Sequence, residues 1–205
     1  MYYNILLPSS KVWKKYWINF NGQFLDICVD EMTAPFAVLH LGIHKIRPTQ
    51  SFPYPNVFEF YEEIKITDSS VFFYSYDIMD TFDFFKKTHD AFVKWKMFIA
   101  NEKSPKSYIC DLTKQKNRIM KSSVQCSVQP EKVILGKGSK ELKSFPYDGT
   151  QLFSPTYDLE KPSLLIGPDK EEYRANTIED FKDLLEAIYF NIRFASNHKI
   201  QPQIA

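Results

Sequence analysis

The chain is poor in cysteine. Among its 205 residues there are three, Cys28, Cys110 and Cys126, far apart and with no CxxC or clustered Cys/His spacing. That pattern argues against a disulfide framework and a zinc site and leaves three buried thiols as the expectation. Long apolar runs are missing too: nothing approaches the roughly 18 residues of a membrane-spanning helix. The short apolar stretch that ends at Pro8-Ser9 lacks the basic start and cleavage pattern of a secretory leader, so a cytoplasmic location is expected. Net charge is nearly absent, at +1 from 26 basic and 25 acidic side chains. With no stacking motif beside the basic residues, nucleic acid is not an expected partner. No local Ser, Cys or His signature points to an activated nucleophile. His40 and His44 flank Gly42 in a strand-like stretch rather than a helix, so they are not a helical metal-ligand pair. Gly136-Lys-Gly-Ser-Lys140 lacks the spacing and the helix of a phosphate loop and reads as a β-turn. Neither an enzyme, a cofactor nor a metal is expected.

What the chain does have is core material, with 44% hydrophobic and 16% aromatic residues. From Tyr2 to Phe73, aromatic and β-branched residues alternate with turn signals, so several short strands are expected. Asn21-Gly22, between Trp17–Phe20 and Phe24–Cys28, is the strongest hairpin signal because both residues tolerate positive φ. At Asp80, a good N-cap, the period changes. Phe82, Phe85, His89, Phe92, Trp95 and Ile99 then recur every three or four residues, the pattern of an amphipathic helix. After Ser104-Pro105 the programme restarts. Tyr108–Leu112, Ser123–Val128, Lys132–Leu135, Gln151–Phe153 and Leu164–Ile166 read as strands. Thr177 with Asp180 resembles a capping box opening a helix whose apolar face is Phe181, Leu184, Leu185, Ile188 and Ile192.

Two modules, 1–102 and 103–205, are therefore expected, mostly β with α. Trp13-Lys14-Lys15-Tyr16-Trp17 resembles the second-strand W-K-[KR]-x-[WYF] of pleckstrin-homology (PH) domains, and Trp95 matches the tryptophan of that family's closing helix. The second module resembles the PH family and its phosphotyrosine-binding branch alike. The resemblance implies two seven-stranded barrels or sandwiches, each closed by a C-terminal amphipathic helix. It also implies a non-catalytic adaptor or scaffold that recruits partners at a membrane or cytoskeletal cortex. Two surfaces come with the family: a barrel mouth for phosphoinositide headgroups, and a groove between the fifth strand and the helix that takes peptides as an added strand. In module one that groove would lie between Val57–Tyr61 and the face of Phe85, His89 and Phe92.

Candidate binding residues follow from charge and exposure. Residues 103–145 hold ten basic and three acidic side chains. Within them Lys114, Lys116, Arg118 and Lys121 fall between the first two strands of module two, where lipid-binding relatives carry their basic loop. Lys11, Lys14 and Lys15 are the counterparts in module one, although Tyr16 stands where the family usually has Arg. Such loops attract anionic membrane lipids at about 1 kcal/mol per well-placed charge; the other reading is a solvated loop. Phe52 and Tyr54, stiffened by Pro53 and Pro55, offer either a protein-partner anchor or a cap on the barrel. A protein-interaction module without lipid affinity is the alternative function.

Overall fold

Alternation writes the first sheet into the sequence. In strand β2 (Lys14–Asn21) Tyr16 and Ile18 are buried while Lys15 and Asn19 face solvent, the period-2 signature of a sheet with one wet face. The computed structural model describes residues 1–8, 10, 12–62, 70–115, 121–147, 153–156 and 163–199. The chain is mostly β with two helices. It divides into two units, Met1–Trp95 and Lys96–Thr156 with Ser163–Ala205, the boundary falling inside the first helix.

The first unit contains β1 (Tyr2–Leu6), β2, β3 (Phe24–Cys28), β4 (Ala37–His40), β5 (His44–Pro48), β6 (Val57–Glu62) and β7 (Val71–Tyr74), followed by α1 (Ile78–Asn101). All pairings are antiparallel, in the order β4-β3-β2-β1-β7-β6-β5. The expected hairpin is present, but its two-residue turn is Gly22-Gln23, closed by the Asn21–Phe24 pair. Gly22 alone carries the positive φ, of 60°. Glycine as the first central residue is the demand of a type II′ turn, so Asn21 ends the strand instead of sharing the turn.

The helix α1 opens one turn earlier than the sequence reading placed it. Asp77, not Asp80, is the N-cap, its carboxylate accepting the Met79 N–H at 2.7 Å. The face shifts accordingly. Phe82 is 65% exposed, and the core takes Phe84 at 0%. Trp95 is buried as expected, its indole lying over Gly42. A Cβ at that glycine would come within 2.2 Å of the ring, so the turn between β4 and β5 tolerates no side chain there.

The second unit repeats the order: β8 (Tyr108–Gln115), β9 (Lys121–Val128), β10 (Lys132–Lys137), β11 (Lys140–Pro146), β12 (Phe153–Thr156), β13 (Ser163–Ile166) and β14 (Glu171–Ala175), then α2 (Ile178–Lys199). Its antiparallel sheet runs β11-β10-β9-β8-β14-β13-β12. Gly138-Ser139 is the turn of the β10–β11 hairpin, in line with the turn reading of that segment. Thr177 caps α2, its Oγ1 accepting the Asp180 N–H at 3.0 Å, which is one half of the expected capping box; the Asp180 carboxylate accepts the Tyr108 hydroxyl at 3.1 Å. Beyond the expected apolar face, every residue from Leu184 to Asn191 is buried. Asn191 accepts the Lys106 N–H (2.8 Å) and donates to the carbonyls of Lys106 (2.8 Å) and Gln129 (3.0 Å).

Candidate functional site

Strand β5 lies at one end of the first sheet, with β6 on one side and no further strand among the described residues on the other. Beside it opens a cleft of about 330 Å³, lined by His44, Lys45 and Ile46 of β5, Tyr61 of β6, and Phe85, Thr88, His89 and Phe92 of α1. The helix side is the one expected from the sequence. The strand side is corrected: the edge is His44–Pro48, and Val57–Glu62 is one strand further in. His89, expected on the groove-lining face of the helix, is exposed on the cleft wall.

The backbone of β5 can be oriented from its continuation. Thr49 donates its N–H to the Val57 carbonyl at 3.0 Å, which extends the β5–β6 ladder past Pro48. In an antiparallel ladder the polar groups of successive residues turn alternately toward and away from the partner. Those of Lys45 and Arg47 therefore face β6, and those of His44, Ile46 and Pro48 face the outer edge. Proline fits at that place because the missing donor would have pointed out of the sheet. Ile46 presents both a donor and an acceptor on the cleft side.

Among the described residues that line the cleft there is no carboxylate, and they include Lys45 and two imidazoles. Neighbouring Arg47 is committed elsewhere, 2.7 Å from Glu59, whose carboxylate also accepts the Ser70 hydroxyl. His44 is buried, and its Nδ1 lies 2.9 Å from the His40 carbonyl. A carbonyl can only accept, so that nitrogen carries the proton. Burial lowers the His44 pKa to about 4, against a weaker opposing effect of this hydrogen bond, so the ring is neutral at physiological pH. Its wall of the cleft is a dipole, not a charge.

The aromatic loop is held by its own sheet. Phe52 meets Trp13 at 5.2 Å and Phe72 at 4.9 Å, edge-on, while Tyr54 stacks on Tyr74 at 4.6 Å and meets Trp13 at 5.6 Å. Val71 and Phe73 belong to the main core, so by alternation Phe72 and Tyr74 point to the opposite face, and the loop packs there. Phe52 is half-buried and Tyr54 37% exposed.

Of the basic candidates, Lys14 and Lys15 are exposed on β2, with Lys15 5.3 Å from the Tyr2 ring centre. Lys11, Lys116 and Arg118 lie outside the described residues, as does the side chain of Lys121. Lys114 has an internal counter-ion that the sequence reading missed. Glu171 holds Lys114 at 2.5 Å and Lys143 at 2.9 Å, and accepts the Tyr173 hydroxyl at 2.7 Å. Burial pushes the Glu171 pKa up, but hydrogen bonds from Lys114, Tyr173 and Lys143 outweigh it and lower the pKa to about 2. A carboxylate depressed in the folded state stabilises it above the unfolded pKa and loses that contribution on acidification. The urea midpoint of the second unit should therefore fall as the pH drops from about 4.5 toward 2. In Glu171→Gln that acid limb should flatten; an unchanged limb would mean that Glu171 is not the titrating group.

Among the described residues no group of three or more His, Cys, Asp or Glu could hold a metal ion, and no helix is long and apolar enough to cross a membrane. No protein-family model matches the chain, and no curated protein matches it.

Proposed function

We propose that the chain is a non-catalytic adaptor of two PH-like modules whose first unit captures an extended peptide by adding it as a strand to β5. The observation that carries this reading is the aromatic-walled cleft beside an edge strand with outward-facing backbone groups. An added strand would exchange hydrogen bonds with Ile46 and lay alternate side chains over Phe85 and Phe92. The PH-like assignment is supported by one strand order, each time followed by a helix, in both units. The run of cations in residues 103–145 supports a second reading, attraction of Lys116, Arg118 and Lys121 to an anionic membrane, in which Lys114 stays with Glu171.

Peptides selected from a random phage-displayed library against the full chain should carry alternating apolar residues. Phe92→Glu replaces an apolar wall of the cleft with a charge, so affinity should drop at least about tenfold in a fluorescence titration. An absence of enriched peptides, or equal binding to the variant, would sink the peptide reading. Binding to phosphatidylserine vesicles that is lost in Lys121→Glu but kept in Phe92→Glu would move the assignment to the membrane.

A further inference from the structure

The second unit holds two thiols whose placement the peptide reading does not use. Cys110 in β8 and Cys126 in β9 are direct cross-strand partners. Residues directly opposed in an antiparallel pair have Cα atoms about 4.5 or 5.5 Å apart, and both spacings fall within the roughly 4.4–6.8 Å spanned by disulfides. Opposed side chains also leave the sheet on the same side. The Cys110 thiol is near enough to Cys126 to weigh on its proton, and both are free and buried. Cys28, the third cysteine, is in the other unit and stands opposite Trp17.

We propose that Cys110 and Cys126 are a reversible dithiol–disulfide couple, oxidised across the β8–β9 ladder by exchange with a small-molecule disulfide. Cys110, 8% exposed against 0% for Cys126, is the entry point. Its thiolate attacks one sulfur of the external disulfide, breaking that S–S bond and expelling the first thiolate. Cys126, once deprotonated, attacks the Cys110 sulfur of the mixed disulfide and expels the second. One external disulfide is reduced to two thiols, which take up the two protons, and the two protein thiols are oxidised to one S–S bond.

The surroundings set the pace. The Cys110 thiol and burial both raise the Cys126 pKa well above the ordinary thiol range, so little thiolate exists at neutral pH and exchange waits on local opening of the two strands. The couple therefore reads a sustained redox poise instead of a brief pulse. Closure would join the two strands at a fixed point and enclose residues 111–125 between the two sulfurs, a stretch that carries Lys114, Lys116, Arg118 and Lys121.

The test equilibrates the full chain in glutathione buffers of rising oxidised fraction, starting both from folded reduced protein and from protein refolding out of urea. In both series the intact mass should fall by two hydrogens. A non-reduced digest should join the Cys110 and Cys126 peptides while Cys28 stays open to alkylation, and Cys126→Ser should retain glutathione on Cys110. The couple is refuted by free alkylation of both thiols at every poise, by glutathione persisting on Cys110 of the unmutated chain, or by a bond to Cys28. Linkage formed only on refolding would equally overturn exchange in the folded chain.

Discussion

Replacing Phe84 by alanine should destabilise the first unit by about 3–5 kcal/mol, while Phe82→Ala, two residues away, should cost under about 0.5 kcal/mol. Phe84 is fully buried, and its ring meets Tyr3, Phe20, Phe58, Phe60 and Phe73 at centroid distances of 4.8 to 5.7 Å. These partners come from four different strands. Truncation would remove a fully buried helix ring from the core and leave a cavity that strands on opposite sides of it cannot both close. Phe82 is 65% exposed and leaves nothing behind. Urea unfolding followed by tryptophan fluorescence reads the first unit selectively, because Trp13, Trp17 and Trp95 all lie in it. Equal midpoints for the two variants would show that the helix is rotated relative to the face described above.

The second large effect belongs to Asn191. Its amide is fully buried and bonded to three main-chain groups of the segments that flank β8 and β9. Asn191→Ala leaves one N–H and two carbonyls with no side-chain partner in the interior, at about 1–3 kcal/mol for each group that finds no other. The expected loss is about 3–5 kcal/mol, read from the urea midpoint by circular dichroism. Asn191→Asp is the sharper variant. It keeps the acceptor for Lys106 but puts an oxygen against two carbonyls, so it should rescue nothing. Wild-type stability in the aspartate variant would mean that the two donated bonds contribute little.

These two residues also mark how far the sequence could be read. The Thr177–Asp180 cap and the hairpin near Gly22 were legible because each is settled within a few residues. The phase of α1 was not. Phe82, Phe84 and Phe85 lie within one turn, and Asp77 and Asp80 both make good caps, so periodicity alone admits two faces. Strands β5 and β14 escaped notice because edge and ion-paired strands are polar: Lys45 and Arg47 interrupt one, and Glu171, Glu172 and Arg174 dominate the other. Asn191 meets its partners 85 and 62 residues away, and Glu171 finds Lys114 57 residues away. No local pattern encodes such pairs. For the cleft, the helix side chains were legible and the strand facing them was not, since the strand is known only once the sheet order is known.

The position of β1 between β2 and β7 has a consequence for how the chain is made. Strand β1 can join β2 as soon as Lys14–Asn21 has been synthesised, but its other edge must wait for Val71–Tyr74. The same holds for β8, which pairs early with β9 and late with β14. Each sheet thus has a central seam that closes last, after the slowest loop closure in its unit. On the ribosome the growing chain carries an unpaired edge through most of each unit's synthesis, and that interval is when it is most exposed to mispairing with its neighbours.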